Sequence, residues 1–147
     1  MMIELLDYGP GQPDGLIPGA GTLTKIIEAM GQEEASYITL QVFLTFAGAG
    51  GTTIDVYLQT SLDNGQSWWD VIHLGVLAAT VEKAASIRKY IAQSAPARLA
   101  AVDGTLALDT VYDGFFGQTW RIKYVIVGTY AADNTFRTNI FVEKLRS

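Results

Sequence analysis

The sequence predicts an all-β protein: an antiparallel β-sandwich, jelly-roll or Greek-key-like, with an extended N-terminal arm. Three observations carry that expectation. Apolar and polar residues alternate with a period of two in several stretches, Gly, Asn and Asp turns separate those stretches, and the composition can support a core. Hydrophobic residues make up 49% of the 147 residues and charged residues 17%, too apolar for a disordered chain. The length suits one domain. We therefore expect an acidic Gly/Pro-rich arm over 1–21 and a single sandwich domain over 22–147, with no repeat that would indicate a solenoid or propeller.

Residues 8–21 read Tyr-Gly-Pro-Gly-Gln-Pro-Asp-Gly-Leu-Ile-Pro-Gly-Ala-Gly. Proline and glycine at this density exclude helix and a paired interior strand. Such a segment packs either along its own domain or onto a neighbouring subunit, and Tyr8, Pro10, Pro13, Leu16 and Ile17 are its candidate contact residues. About 14 extended residues at ~3.3 Å each would reach roughly 40–50 Å.

In Ser36–Phe46, Ile38, Leu40, Val42, Leu44 and Phe46 share one face, and Tyr37, Thr39, Gln41, Phe43 and Thr45 the other. After the flexible stretch Ala47–Gly51, Thr53–Thr60 resumes the pattern with Ile54, Val56 and Leu58 inward and Asp55, Tyr57 and Gln59 outward. These two strands are expected to pair as a hairpin. Asn64-Gly65 supplies the positive φ of a tight turn, and a further strand follows over Trp69–Leu74. Residues 76–102 fit a helix (Leu77, Val81, Ala84, Arg88, Ile91) about as well as a strand (Val81, Lys83, Ala85, Ile87, Lys89, Ile91). The all-β setting favours a strand around 84–92. A long connection runs from Asp103 to Gly117, with room for a short strand at Thr105–Asp109. Beyond it, Trp120–Val127 and Phe136–Glu143 alternate on either side of a turn at Gly128–Asn134.

Charge is unevenly placed. Residues 1–34 hold Glu4, Asp7, Asp14, Glu28, Glu33 and Glu34 against Lys25 alone, which accounts for the whole formal charge of −5. An acidic arm on a neutral body repels phosphate backbones, so nucleic acid is not an expected partner. Met1-Met2-Ile3-Glu4 lacks a basic leader region, and no apolar run approaches the ~18–20 residues of a membrane span. We expect a soluble protein made in a cytosol, with no membrane partner. With no cysteine and one histidine, thiolate chemistry and histidine-cluster metal sites are excluded, and no cofactor is expected.

Several residues could carry chemistry. Ser61-Leu62-Asp63-Asn64-Gly65-Gln66-Ser67-Trp68 matches Ser-x-Asp-x-Gly-x-Ser/Thr-Trp, the pattern of the Asp-box hairpin. There Asp63 would accept turn amides, Gly65 would take the left-handed conformation, and Trp68 would fold beneath the turn, with Ser61 and Ser67 as structural partners. His73 lies three positions from Asp70, on the opposite face of a regular strand, and no nucleophile-elbow sequence is present, so a structural histidine is expected. Asp55, Asp63, Asp70, Asp109 and Asp113 could supply a carboxylate pair for glycoside hydrolysis, but nothing in the sequence sets two of them at a defined separation. Arg121, Lys123 and Arg137 would form a small basic stripe if their strands paired. Large aromatic residues on the outward positions, Tyr37, Phe43, Tyr57 and Phe141, indicate that this second face is covered too, and Phe115 and Phe116 in a Gly-flanked loop add an adhesive tip.

The run Ile54–Val71, in which Asp55-Val56-Tyr57-Leu58-Gln59-Thr60-Ser61 leads into the Asp-box-like hairpin, and Trp120–Phe136, with Trp120-Arg121-Ile122-Lys123-Tyr124 and Gly128-Thr129, resemble small β-sandwich virion proteins of tailed bacteriophages. The resemblance implies a non-enzymatic structural role, commonly head decoration or cement, in which the protein binds the major capsid protein or another virion protein. It also implies a homo-oligomer, dimer or trimer, located in the virion after assembly in the bacterial host cytoplasm. No functional residue carries over, because such proteins have no fixed site. A tail or head–tail connector protein is an alternative. Another is a carbohydrate-binding module that stacks sugars on Trp68, Trp69 and Trp120, which requires those rings to be exposed.

Overall fold

The computed structural model describes residues 2–28, 35–48, 50–77, 79–89 and 102–144. Their strands, in order, are β1 (Met2–Tyr8), β2 (Gly21–Ile26), β3 (Ala35–Thr45), β4 (Thr53–Ser61), β5 (Trp69–Leu77), β6 (Val81–Arg88), β7 (Thr110–Val111), β8 (Thr119–Val127) and β9 (Thr135–Lys144). They form two antiparallel sheets, one ordered β1-β9-β3-β6 and the other β2-β8-β4-β5-β7. The all-β sandwich expected from the alternation is the observed fold.

The inward rows are those the period of two marks out. Ile38, Leu40, Val42 and Leu44 of β3 and Phe136, Ile140 and Val142 of β9 face Ile54, Val56 and Leu58 of β4 and Trp120, Ile122, Tyr124 and Ile126 of β8, all buried. Each such side chain contributes roughly 1.5–3 kcal/mol by leaving water. The Tyr124 and Phe136 rings meet edge to face across the interior, with centroids 6.0 Å apart.

Pairing differs from the expectation. β3 and β4 do not form a hairpin: β3 pairs with β6 and β9, and β4 pairs with β5 and β8. Both strands carry a full apolar row, and facing each other across the core buries both rows. The connection between them must therefore cross from sheet to sheet. Gly51 makes the crossing possible, with φ of 73° and a position where a Cβ would lie 2.4 Å from the Tyr130 ring. β8 and β9 are likewise split between the sheets, so Arg121, Lys123 and Arg137 form no common stripe. The two crossings are tied together where Gly51 N donates to Thr129 O at 2.7 Å and Ala47 N to Asn134 Oδ1 at 2.8 Å.

The N-terminal residues are part of the sandwich. Met2–Tyr8 is an edge strand on β9 with a bulge between Glu4 and Leu6 that interrupts its alternation. The Gly/Pro-rich stretch is the connection from it to β2. In the ambiguous region, β6 is a strand at 81–88, earlier than the expected 84–92, and residues 90–101 lie outside the described residues. The short strand expected at 105–109 is displaced to Thr110–Val111, because the preceding residues fold over the sheet as a covering loop.

Candidate functional site

The two outer faces have opposite characters. On the five-stranded sheet, a bulge governs which side chains meet. Leu58 pairs with Ile72 and Gln59 with Asp70, leaving Val71 as the extra residue. The bulge reverses the alternation of β5, so Asp70 and His73 lie on the same face, contrary to the regular-strand expectation. Tyr57 and His73 are cross-strand partners whose rings stack at 4.0 Å.

The connection before β7 covers this face through a polar network. Asp70 is buried, and its Oδ1 accepts from Gln59 Nε2 at 2.7 Å and Gly104 N at 2.9 Å. Its Oδ2 accepts from Thr105 N at 2.9 Å and Leu106 N at 3.0 Å. One carboxylate thus gathers three successive loop amides. Asp103 receives Gln59 Nε2 at 2.7 Å, Lys123 Nζ at 2.9 Å and an Arg121 guanidinium nitrogen at 3.2 Å. Partial burial, the largest influence on Asp103, would raise its pKa. Donation from Gln59 and Lys123, with the charges of Lys123 and Arg121, outweighs it and holds the carboxyl below its ordinary value. Burial, and then the charges of Asp55 and Asp70, push the Tyr57 phenol up.

His73 is satisfied on both sides, with Nδ1 2.8 Å from Leu106 O and Nε2 2.8 Å from Asp55 Oδ1. The ring thus ties the covering loop to β5 through Leu106 and ties β5 to β4 through Asp55. The other carboxylates are similarly tied. Asp109 accepts from Lys83 Nζ at 2.7 Å and Gly75 N at 3.1 Å, and Asp113 accepts Arg88 N at 2.9 Å. Among the described residues no group of three or more His, Cys, Asp or Glu is placed to hold a metal ion.

The Asp-box-like hairpin joins β4 to β5 as its sequence requires. Asp63 Oδ1 accepts the Ser61 hydroxyl at 2.8 Å and Ser67 N at 2.8 Å, and Oδ2 accepts the Ser67 hydroxyl at 2.7 Å. Donation by the Ser67 hydroxyl and amide, then by Ser61, lowers the Asp63 pKa to about 2. Gly65 has φ of 90°, and Trp68 is buried beneath the turn with Arg121 4.2 Å above its ring.

The outer face of the four-stranded sheet is open. Tyr37 and Phe43 on β3 and Phe141 on β9 are 37%, 36% and 42% exposed. A shallow groove of about 310 Å³ lies among Tyr37, Thr39, Phe141, Val142 and Glu143. The polar side chains between the rings bond sideways to one another. Thr39 and Ser86 hydroxyls are 2.7 Å apart, Gln41 Nε2 donates to Glu82 at 2.6 Å, and Asn139 Nδ2 donates to Gln41 Oε1 at 3.3 Å. Arg137 donates to Asp7 at 3.3 Å instead of joining Arg121 and Lys123. What this face offers a partner is chiefly aromatic surface.

The other expected contact residues divide by burial. Pro10, Pro13 and Leu16 are exposed on the connection after β1, whereas Tyr8 and Ile17 are buried. Tyr57 is buried, stacked on His73. Phe115 and Phe116 are partly buried, Phe115 against Trp69 at 4.8 Å and Phe116 against Trp120 at 5.1 Å. Two surface features were missed in the sequence: the exposed Met2 beside Phe141, and β2, whose Thr-Leu-Thr-Lys-Ile alternation was its only signal. No family model matches the chain, and comparisons with curated proteins and with solved structures returned no match.

Proposed function

We propose that this protein is a non-enzymatic structural component of a phage virion, of the head decoration or cement type. In this reading it binds a shell protein through the outer face of its four-stranded sheet. The observation that carries the reading is the pair of unlike faces. One is covered over β4 and β5 by the chain's own loop, and the other presents Tyr37, Phe43 and Phe141 on a sheet where Thr39, Ser86, Gln41, Glu82 and Asn139 bond sideways to one another. Aromatic surface with few free charges is the composition of a protein interface core, and a preformed sheet loses little entropy on docking. The likeness of residues 54–71 and 120–136 to phage sandwich proteins supplies the class of partner.

The carbohydrate-binding alternative loses its chief support. Trp68 and Trp120 are buried, and Trp69 packs against Phe115, so the three rings form no exposed stacking platform. Deleting residues 1–21 would remove β1 from the sheet and confound a binding test with misfolding. The clean variant is the triple substitution Tyr37→Ser, Phe43→Ser, Phe141→Ser, all at exposed positions. Particles stripped of the protein should rebind the wild type and bind the variant at least tenfold more weakly, with correspondingly lower heat resistance. Absence of the protein from purified virions, or equal rebinding, would refute the proposal.

A further inference from the structure

Among the described residues, three of the four sheet edges are blunted. β1 carries its bulge, Lys25 Nζ caps Leu5 O there at 2.9 Å, and Asp14 bonds both backbone groups of Asp7, accepting from N at 3.0 Å and donating to O at 3.3 Å. β6 is met at Arg88, whose N donates to Asp113 at 2.9 Å and whose O accepts Gly114 N at 2.8 Å. β7 is only 2 residues long. β2 differs from all three. Its 6 residues, Gly-Thr-Leu-Thr-Lys-Ile, contain no proline, pair with β8 without a bulge, and are exposed throughout. Such an edge is a template for another strand.

The direction of its free groups follows from one bond. Ile27 N donates to Trp120 O at 2.9 Å, continuing the register in which Lys25 faces Ile122 and Leu23 faces Tyr124. In an antiparallel ladder alternate residues turn both backbone groups to the same neighbour. Lys25, Leu23 and Gly21 therefore face β8, and Thr22, Thr24 and Ile26 point their N–H and C=O groups outward.

We propose that β2 pairs antiparallel with β2 of a second copy of this chain, across a two-fold axis at Thr24, joining two five-stranded sheets into one. In this register Thr24 faces Thr24 of the mate, and Thr22 faces Ile26. Every outward N–H and C=O of these residues then gains a partner in both copies. An axis at Leu23 would set Ile26 against Ala20, which precedes the strand. An axis at Lys25 would oppose two ammonium groups. With the axis at Thr24, the strand's single charged residue faces Leu23 of the mate, while its ammonium is held by Leu5 O in its own domain. The register that satisfies the backbone is thus also the one that keeps like charges apart. This contact is independent of the proposed shell-binding face, which lies on the other sheet. A strand pair of this length buries less than the ~1,000 Å² of a lasting dimer, so free association is weak and becomes effective when two copies are held side by side.

Because the chain has no cysteine, one introduced thiol has only its symmetry mate to pair with. Facing residues of a hydrogen-bonded antiparallel pair lie about 5.5 Å apart at Cα, within the ~4.4–6.8 Å of a disulfide. Thr24→Cys in the full chain is expected to give a covalent dimer on mild oxidation at high concentration. Thr22→Cys should stay monomeric, because its mate lies four residues along the strand, roughly 13 Å away. Both positions are exposed, so folding is not at stake. Thr24→Pro removes an outward N–H and spares the bonds to β8; it should weaken self-association at least tenfold in sedimentation equilibrium. No dimer from Thr24→Cys would overturn the proposal and leave the edge to a strand of another protein. Equal cross-linking at both positions would overturn it as chance collision, and unchanged association of Thr24→Pro would show that copies meet elsewhere.

Discussion

Asp70 is the residue whose loss should most disturb the surface of the five-stranded sheet. Its buried carboxylate accepts from Gln59 Nε2 and from the amides of Gly104, Thr105 and Leu106, at distances from 2.7 to 3.0 Å. A hydrogen bond to an ionised acceptor contributes about 1.5–3 kcal/mol. The three loop amides can recover part of that from water when the loop lifts, while Gln59 stays buried on the sheet. The net cost of Asp70→Ala should therefore approximate two such bonds, about 3–6 kcal/mol, or a fall in Tm of roughly 10–20 °C for a chain of this size. Asp70→Asn separates hydrogen-bond acceptance from volume, because it keeps the shape and turns an NH₂ group toward N–H donors. It should lose nearly as much. Urea unfolding followed by tryptophan fluorescence measures the stability, and hydrogen exchange at residues 104–106 reports whether the loop has lifted. An Asp70→Asn protein within about 1 kcal/mol of wild type, with those amides still protected, would refute the reasoning.

Two further outcomes follow from the hairpin and its neighbour. The Asp63 carboxyl is lowered from 3.8 to about 2 in the folded protein, so its stabilisation is fully present above 3.8 and is lost as pH falls through about 2. Asp63→Asn should therefore destabilise the protein at neutral pH and become indistinguishable from wild type near the lower limit in denaturant titrations; a penalty constant across that range would contradict the assignment. At Gly117 an added Cβ would lie 2.2 Å from the Ser61 carbonyl oxygen, where backbone must give way, while at Gly19 it would meet nothing within 4 Å. Gly117→Ala should cost roughly 1–3 kcal/mol and Gly19→Ala almost nothing, as thermal denaturation of the two variants would show.

The inward rows of β3, β4, β8 and β9 were legible because period-two alternation belongs to each strand alone. The Asp-box-like hairpin was legible for a similar reason: the side-chain hydrogen bonds of Ser61, Asp63 and Ser67 close within one turn. β1 was hidden because its bulge places Leu5 and Leu6 side by side, both buried, so no alternation is visible there. β2 was hidden because an edge strand exposed throughout has no apolar row to announce it.

The sequence by itself determined the strand class, the buried rows and the local chemistry of the Asp63 turn, since each depends on residues only a few positions apart. Only the tertiary structure decided which strands pair and which outer face the connection before β7 covers. Gly51 fitting against Tyr130 sends the chain across to the other sheet, and the single extra residue Val71 brings Asp70 and His73 onto one face, where loop amides more than thirty positions away converge on Asp70 and the Leu106 carbonyl meets His73. Those contacts depend on where distant segments meet, and packing of the two sheets selects that meeting.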